Sequence, residues 1–360
     1  MRNRLLTGGV ALAGSIIMAS LALETVAGQA PARPATATAG YVMPRTPDGH
    51  PDLQGTYDIA TITPIERPAQ YGGRLLLTDE EAAVLERGET ARVARGALPS
   101  RGDREAPRVG GNVGGYNNFW IDRGDQVITV DGRKRSSLIV DPADGRIPPL
   151  TPAALKRNAD RRGPNPDANE ATAGEAPGAF DNPEQRPLGE RCLLGFSSTS
   201  GPPTLPNYFY NNLKQIVQTP GYVMILNEMV HDARVIRIGG QHLPPHIHKW
   251  NGDSIGRWEG DTLVVDTTNF TDKTRFRGSA EQLHVVERFT RVDANTLLYR
   301  FTIDDPTTFT KPWTGEFPWP ATNQPIYEYA CHEGNYALGG ILRGARLLEA
   351  EAAAKGQGNR

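Results

Sequence analysis

After residue 190 the chain is dominated by short apolar runs that alternate with polar positions at a period of two and break at turn residues. This pattern predicts strands over residues 213–218, 222–228, 233–238, 263–269, 283–290, 296–304 and 326–331. Gly239-Gly240, Gly252-Asp253, Gly260-Asp261 and the Asp-Ala-Asn at 293–295 supply the turns between them. Earlier in the chain, residues 55–63 read as a first strand, and residues 126–140 as a β-hairpin turning at Asp131-Gly132. The period changes to that of a helix over residues 78–95. There Thr78 is a good N-cap, Glu81 completes a capping box, and Ala82, Val84, Leu85 and Ala91 form an apolar stripe. Residues 152–161 predict a second, shorter helix. Short strands at this spacing, with no βαβ alternation and no Gly-rich phosphate loop, predict a mainly β fold: an antiparallel β-barrel or sandwich with one or two short helices and long loops.

The first 28 residues change the setting. Arg2 and Arg4 precede an uncharged stretch at 5–23, and small residues follow at Thr25, Ala27 and Gly28. This is the pattern of a secretory signal over residues 1–28; the rival reading is a membrane anchor, diluted by Gly, Ser and Ala. Residues 29–41 then read as a flexible linker, 42–349 as one β-rich domain containing a long polar loop at 162–187, and 350–360 as a disordered tail. No second apolar run is long enough to span a membrane. A net charge of −2, with Arg and Lys spread along the chain, leaves no basic footprint and argues against a nucleic-acid partner. Export implies an oxidising compartment, periplasmic or extracellular, so the two cysteines, Cys192 and Cys331, are expected to form one bridge.

Several segments together resemble a large group of exported bacterial β-rich proteins with no settled activity. They are RTPDG at 45–49 with PDLQGTY at 51–57, SLIVDP at 137–142, GRIPPL at 145–150, GERC at 189–192, VHDAR at 230–234, GRWEGDTLVV at 256–265 and YACHEGNY at 329–336. The resemblance covers nearly the whole mature chain but implies no residue-level catalytic role. The group usually lacks histidines at the positions of His246 and His248, so a role for those two would be particular to this chain. The strand-rich half is also similar, at the level of pattern, to lipocalin-like barrels, which hold small organic ligands.

Several residue groups are candidates for chemistry. Glu228, His231, Asp232 and Arg234 fall at one strand–turn–strand corner. There His231 could move protons, Glu228 or Asp232 orient it, and Arg234 hold a carboxylate or oxyanion. Period two places Glu287 between Val285 and Phe289 on one face; it is either a base with a raised pKa or, more plainly, a partner for an arginine across the sheet. His332 follows Cys331 and is either a second proton carrier or part of a rigid disulfide neighbourhood. Trp120, Tyr208, Tyr210 and Trp258 could wall an apolar pocket. His242, His246 and His248 form the nearest approach to a zinc or copper motif, without an accompanying carboxylate or Cys at metal spacing. The leading expectation is a cofactor-independent lyase or isomerase acting on a small apolar or aromatic compound. The alternatives are a ligand-binding barrel without turnover and a histidine-metal enzyme.

Overall fold

The computed structural model describes residues 40–99, 121–162, 180–195, 201–274 and 276–357. Residues 1–39, expected to be a signal and most of a linker, lie outside them, as do Trp120 and most of the segment expected to be a polar loop. The strands are β1 (Gly55–Asp58), β2 (Thr129–Val130), β3 (Arg133–Lys134), β4 (Ile139–Asp141), β5 (Leu213–Thr219), β6 (Tyr222–Asn227), β7 (Ala233–Ile238), β8 (Asp253–Glu259), β9 (Thr262–Thr268), β10 (His284–Asp293), β11 (Thr296–Asp304) and β12 (Trp313–Thr322). The helices are α1 (Asp79–Gly96), α2 (Pro152–Arg162) and α3 (Tyr336–Gln357).

Nine strands close into a barrel in the order β1-β5-β6-β7-β8-β9-β10-β11-β12. Closure comes from β1, which pairs with β5 on one side and with β12 on the other, through Thr56↔Thr322 and Tyr57↔Ala321. Closure joins the first and last strands of the sheet, and it decides between the barrel and the sandwich. All the barrel pairings are antiparallel except β7–β8, which is parallel through Arg237↔Ile255 and Ile238↔Gly256. A parallel pair needs a long crossover, and residues 239–252 provide it. The histidine segment is therefore a connection rather than a strand.

Period two holds along the walls. Ile216, Ile225, Ile236, Val265, Val285, Phe289, Tyr299, Phe317 and Trp319 belong to one buried cluster inside the barrel. Around Tyr299 the packing is aromatic, with Phe289 and Trp319 rings centred 5.0 and 4.9 Å away and Phe317 edge-on at 5.3 Å. A second, smaller cluster of Tyr71, Leu77, Ala82 and Val127 seats α1 outside the barrel. The Thr78–Glu81 capping box forms as expected.

Four sequence expectations are corrected. Residues 137–140 do not return against 127–130; β2 pairs only with the short β3, and β4 instead lines β12. Residues 326–331 form no strand. The strand there is β12, hidden from pattern reading by Pro318 and Pro320. Both prolines sit where β12 lacks a second ladder partner: the Glu316 N–H donates to Leu138 O, and Pro318 and Pro320, which have no N–H to donate, fall between the residues paired with β4 and those paired with β1. The third correction is α3, which continues through 350–357 where a disordered tail was expected. Its Ala, Leu, Glu and Arg are strong helix formers. The fourth is β8, which alternation missed because its inward positions include the small residues Ser254 and Gly256.

Gly315 on β12 faces Phe301 on β11, and a Cβ at 315 would collide with the Phe301 ring. Gly315→Ala is expected to destabilise the protein by about 1–3 kcal/mol, the usual scale of overpacking. Urea unfolding with the m-value unchanged checks it; an unshifted midpoint would show that the ring moves freely aside.

Candidate functional site

Glu287 and Arg234 both face the barrel interior, on β10 and β7, which are not neighbours in the sheet. Arg234 reaches across and donates to both Glu287 oxygens, at 2.7 and 3.2 Å. The Tyr299 hydroxyl donates to Glu287 Oε1 at 2.8 Å and accepts the Thr204 N–H at 2.9 Å. Burial, with the Glu287 charge beside it, pushes the Tyr299 phenol well above its ordinary value. Glu287 is completely buried, and its partner is the arginine across the barrel, the plainer of the two sequence readings.

The corner expected to gather acid, base and cation is built differently. Arg234 points inward to Glu287. His231 is exposed, and its Nδ1 lies 3.0 Å from Tyr329 O. Asp232 is half-buried and accepts from Asn251 Nδ2; burial raises its pKa against the pull of Arg234. Glu228 is buried and accepts the Leu213 and Tyr327 N–H groups at 3.3 and 3.4 Å. Val230 and His231 both adopt left-handed backbone, with φ of 63° and 45°, which is costly for a β-branched residue. The strained turn thus aims successive side chains in different directions and does not converge them on one point.

Pattern reading missed Lys214. It lies on β5 between Tyr57 of β1 and Asn227 of β6, on the inward face with Ile216. It is fully buried, and Nζ has no hydrogen-bond partner among the described residues. Burial pushes the amine down to about 7, against the opposing pull of Glu228 and Asp58. Alternation could not place it, because Leu213, Gln215 and Val217 offer a second, equally plausible inward face.

The Cys192–Cys331 bridge forms. Around it, Arg186 pairs with Glu190 at 2.9 Å and Asn335 Nδ2 donates to Glu190 O at 2.6 Å, while His332 is exposed. These contacts make the disulfide neighbourhood a scaffold. The three histidines of the crossover do not converge either. His242 lies between Asp266 (Nε2 to Oδ1, 2.9 Å) and Asp253 (Nδ1 to Oδ2, 3.3 Å). His248 Nδ1 is 2.8 Å from Phe270 O, and His246 is exposed. Among the described residues no group of three or more His, Cys, Asp or Glu has metal-holding geometry. The aspartate also takes His284 Nε2 at 3.0 Å. That bond raises the His284 pKa, while the two histidines hold Asp266 down despite its burial.

Two clefts lie outside the barrel lumen. The larger, about 490 Å³, is bounded by α1 and by loops at 62–71 and 123–136. Ile62, Pro64, Tyr71, Leu85 and Val127 make an apolar floor, and Arg92, Arg95, Arg123 and Arg135 stand around it. Burial works to raise the Glu89 carboxyl, but hydrogen bonds from Arg123 and Arg92 outweigh it and hold the group at about 2. Arg135 is paired with Glu316 at 2.8 Å. Arg95 is exposed and has no ion-pair partner among the described residues. Tyr208 lines this cleft, its hydroxyl donating to Thr63 O at 2.9 Å. Trp258 lines the smaller cleft of about 280 Å³, stacked on His50 at 5.0 Å. Tyr210 lines neither; it hydrogen-bonds Tyr329.

Comparison of the chain with protein-family models, curated proteins and solved structures finds no match.

The Asp266–His284 contact carries a pH signature. Because the folded-state pKa of His284 is raised, its contribution to stability is complete below the unfolded value of about 6.5 and is lost as pH rises through the folded value. Unfolding free energies from urea titrations between pH 5.5 and 8.5 are expected to fall by about 1 kcal/mol more in the wild type than in Asp266→Asn. Parallel pH profiles for the two proteins would remove the contact from the stability account.

Proposed function

We propose that this is an exported barrel that binds a small amphipathic anion, with an aromatic or alicyclic body and a carboxylate or comparable charge, in the cleft beside α1. One observation carries the reading: an apolar floor of ligand size ringed by four arginines, with Glu89 as the one carboxylate in the lining among the described residues. A volume of about 490 Å³ falls in the range of small-molecule sites. The floor favours burial of rings, and Arg95 at the rim, without an ion-pair partner among the described residues, supplies a charge to meet an anion. Tyr208, expected from the sequence as a ligand contact, stands in the wall.

Binding without turnover is the better-supported form of the reading. Arg234 and Glu287 satisfy each other inside the barrel, while His231 is exposed and held against Tyr329 O, which argues against a shared substrate position at the expected acid–base corner. The disulfide favours an oxidising compartment, periplasmic or extracellular, and no described helix is long and apolar enough to cross a membrane. The motifs quoted above favour membership of the exported β-rich group.

The probe for this site is 8-anilinonaphthalene-1-sulfonate, an aromatic anion whose fluorescence rises in apolar surroundings. Gly88 lines the cleft from the middle of α1, and a Cβ there meets nothing within 4 Å. Gly88→Trp is expected to fill the cleft and abolish one-to-one probe binding. Gly88→Ala is expected to keep binding and to gain about 1 kcal/mol of stability. Arg95→Glu is expected to weaken binding about tenfold, roughly 1.4 kcal/mol. Unchanged probe affinity in a folded Gly88→Trp protein would refute the assignment.

A further inference from the structure

We propose that Lys214 is a carbonyl-reactive amine, placed inside the barrel to form an imine with a small aldehyde or ketone. The inference is independent of the cleft beside α1 and rests on how the barrel interior distributes its charge. A buried ammonium is normally paired or hydrogen-bonded, because the uncompensated charge costs several kcal/mol. Lys214 is fully buried, and its Nζ has no acceptor among the described residues.

The groups that could serve it are engaged elsewhere. Arg234, one layer along the same wall through Ile216↔Ile225↔Arg234, takes both oxygens of Glu287. Glu228 accepts the backbone N–H groups of Leu213 and Tyr327. Asp58 accepts the Ala60 N–H. Tyr57, directly across the ladder, donates its hydroxyl to Leu53 O. What remains is an amine whose neutral, nucleophilic form is the one the site accommodates, and burial accordingly brings its pKa down to about 7.

A second observation points the same way. Asn207 Oδ1 is also buried with no hydrogen-bond partner among the described residues, on a segment whose N–H is tied to Asn212 Oδ1 just ahead of β5. An amine and an amide oxygen, both buried and unsatisfied within the stretch from Asn207 to Lys214, are groups that a small polar guest would complete. Near this end lies the strained Val230–His231 turn, which follows directly on Asn227 and Glu228. Non-glycine residues held in left-handed backbone concentrate at functional sites.

The chemistry balances without a further co-reactant. The Nζ lone pair attacks the carbonyl carbon, the C–N bond forms, and an amine proton passes to the carbonyl oxygen to give a carbinolamine. Loss of water with the second amine proton then leaves the C=N bond, and hydrolysis reverses the sequence.

Reductive trapping tests this. The full mature chain is treated with limiting formaldehyde and cyanoborohydride at pH 7, and the methylated lysines are mapped by peptide mass spectrometry. Lys214 is expected to be modified at least about tenfold faster than exposed Lys156, because at that pH far more of a lysine with a pKa near 7 is neutral than of one near 10.4. Its rate should level off above pH 7 while that of Lys156 keeps rising. Lys214→Met should lose this fast modification alone, and Gly88→Trp should leave it unchanged, which separates the inference from the cleft assignment. Should Lys214 stay unmodified in the folded protein while Lys156 reacts, and become reactive only after denaturation, the inference is overturned. Mapping the wild type alone decides this even if Lys214→Met does not fold.

Discussion

The ion pair between Arg234 and Glu287 is the constraint around which the interior is organised. Neither strand that carries it touches the other, so the pair spans the lumen and fixes β7 against β10 across three ladders. Its charges are out of water, and such a pair is stable only when its remaining hydrogen-bonding capacity is met. Tyr299 meets part of it from β11 and, through the Thr204 N–H, ties in the buried segment at 201–206. One side chain thus connects the wall, the charge and the segment that fills the lumen beside it.

With that system in place, the lumen around it is heavily aromatic: Tyr57, Phe289, Tyr299, Phe301, Phe317, Trp313 and Trp319 are all essentially without exposure. Such packing favours binding of a ring-sized ligand outside the lumen, and the larger of the two described clefts lies where α1 leans on the loops at 62–71 and 123–136. The arginines there are arranged by local pairing. Glu89 fixes Arg92 and Arg123 at its two oxygens, and Glu316 fixes Arg135 from the outer face of β12. The same logic isolates Lys214. Once Glu287 is committed to Arg234, Lys214 feels only the more distant pull of Glu228 and Asp58, and its Nζ has no hydrogen-bond partner among the described residues.

Much of this architecture was legible as periodicity. Residues 233–238 and 296–304 are strands with the bounds that alternation sets, and the Thr78 capping box starts α1 where expected. The failures share a physical cause, in that tertiary context overrode a local rule. Pro318 and Pro320 are tolerated in β12 because one of its edges lacks a ladder partner there. Residues 137–140 left the hairpin for β12, which offered a longer barrel edge than β2. At the site, Glu287 was legible because Val285 and Phe289 flank it at period two, and Tyr208 and Trp258 because aromatics near turns tend to line clefts. His231 and Arg234 were assigned to one place because they are close in sequence, yet beyond the left-handed turn Arg234 is buried against Glu287 while His231 is exposed beside Tyr329. Lys214 was not legible, since both faces of β5 carry apolar residues and only the closed barrel decides which is inside.

The account depends on the lumen pair being a coupled unit, and a double-mutant cycle tests that directly. Equilibrium unfolding would be measured for the wild type, Arg234→Met, Glu287→Gln and the combined variant. Each single change is predicted to cost about 3–5 kcal/mol, because it strands a buried partner, and the double variant to cost markedly less than the sum. Additive effects within about 0.5 kcal/mol would mean that the two groups stabilise the barrel separately, and the interior would need a different organising contact.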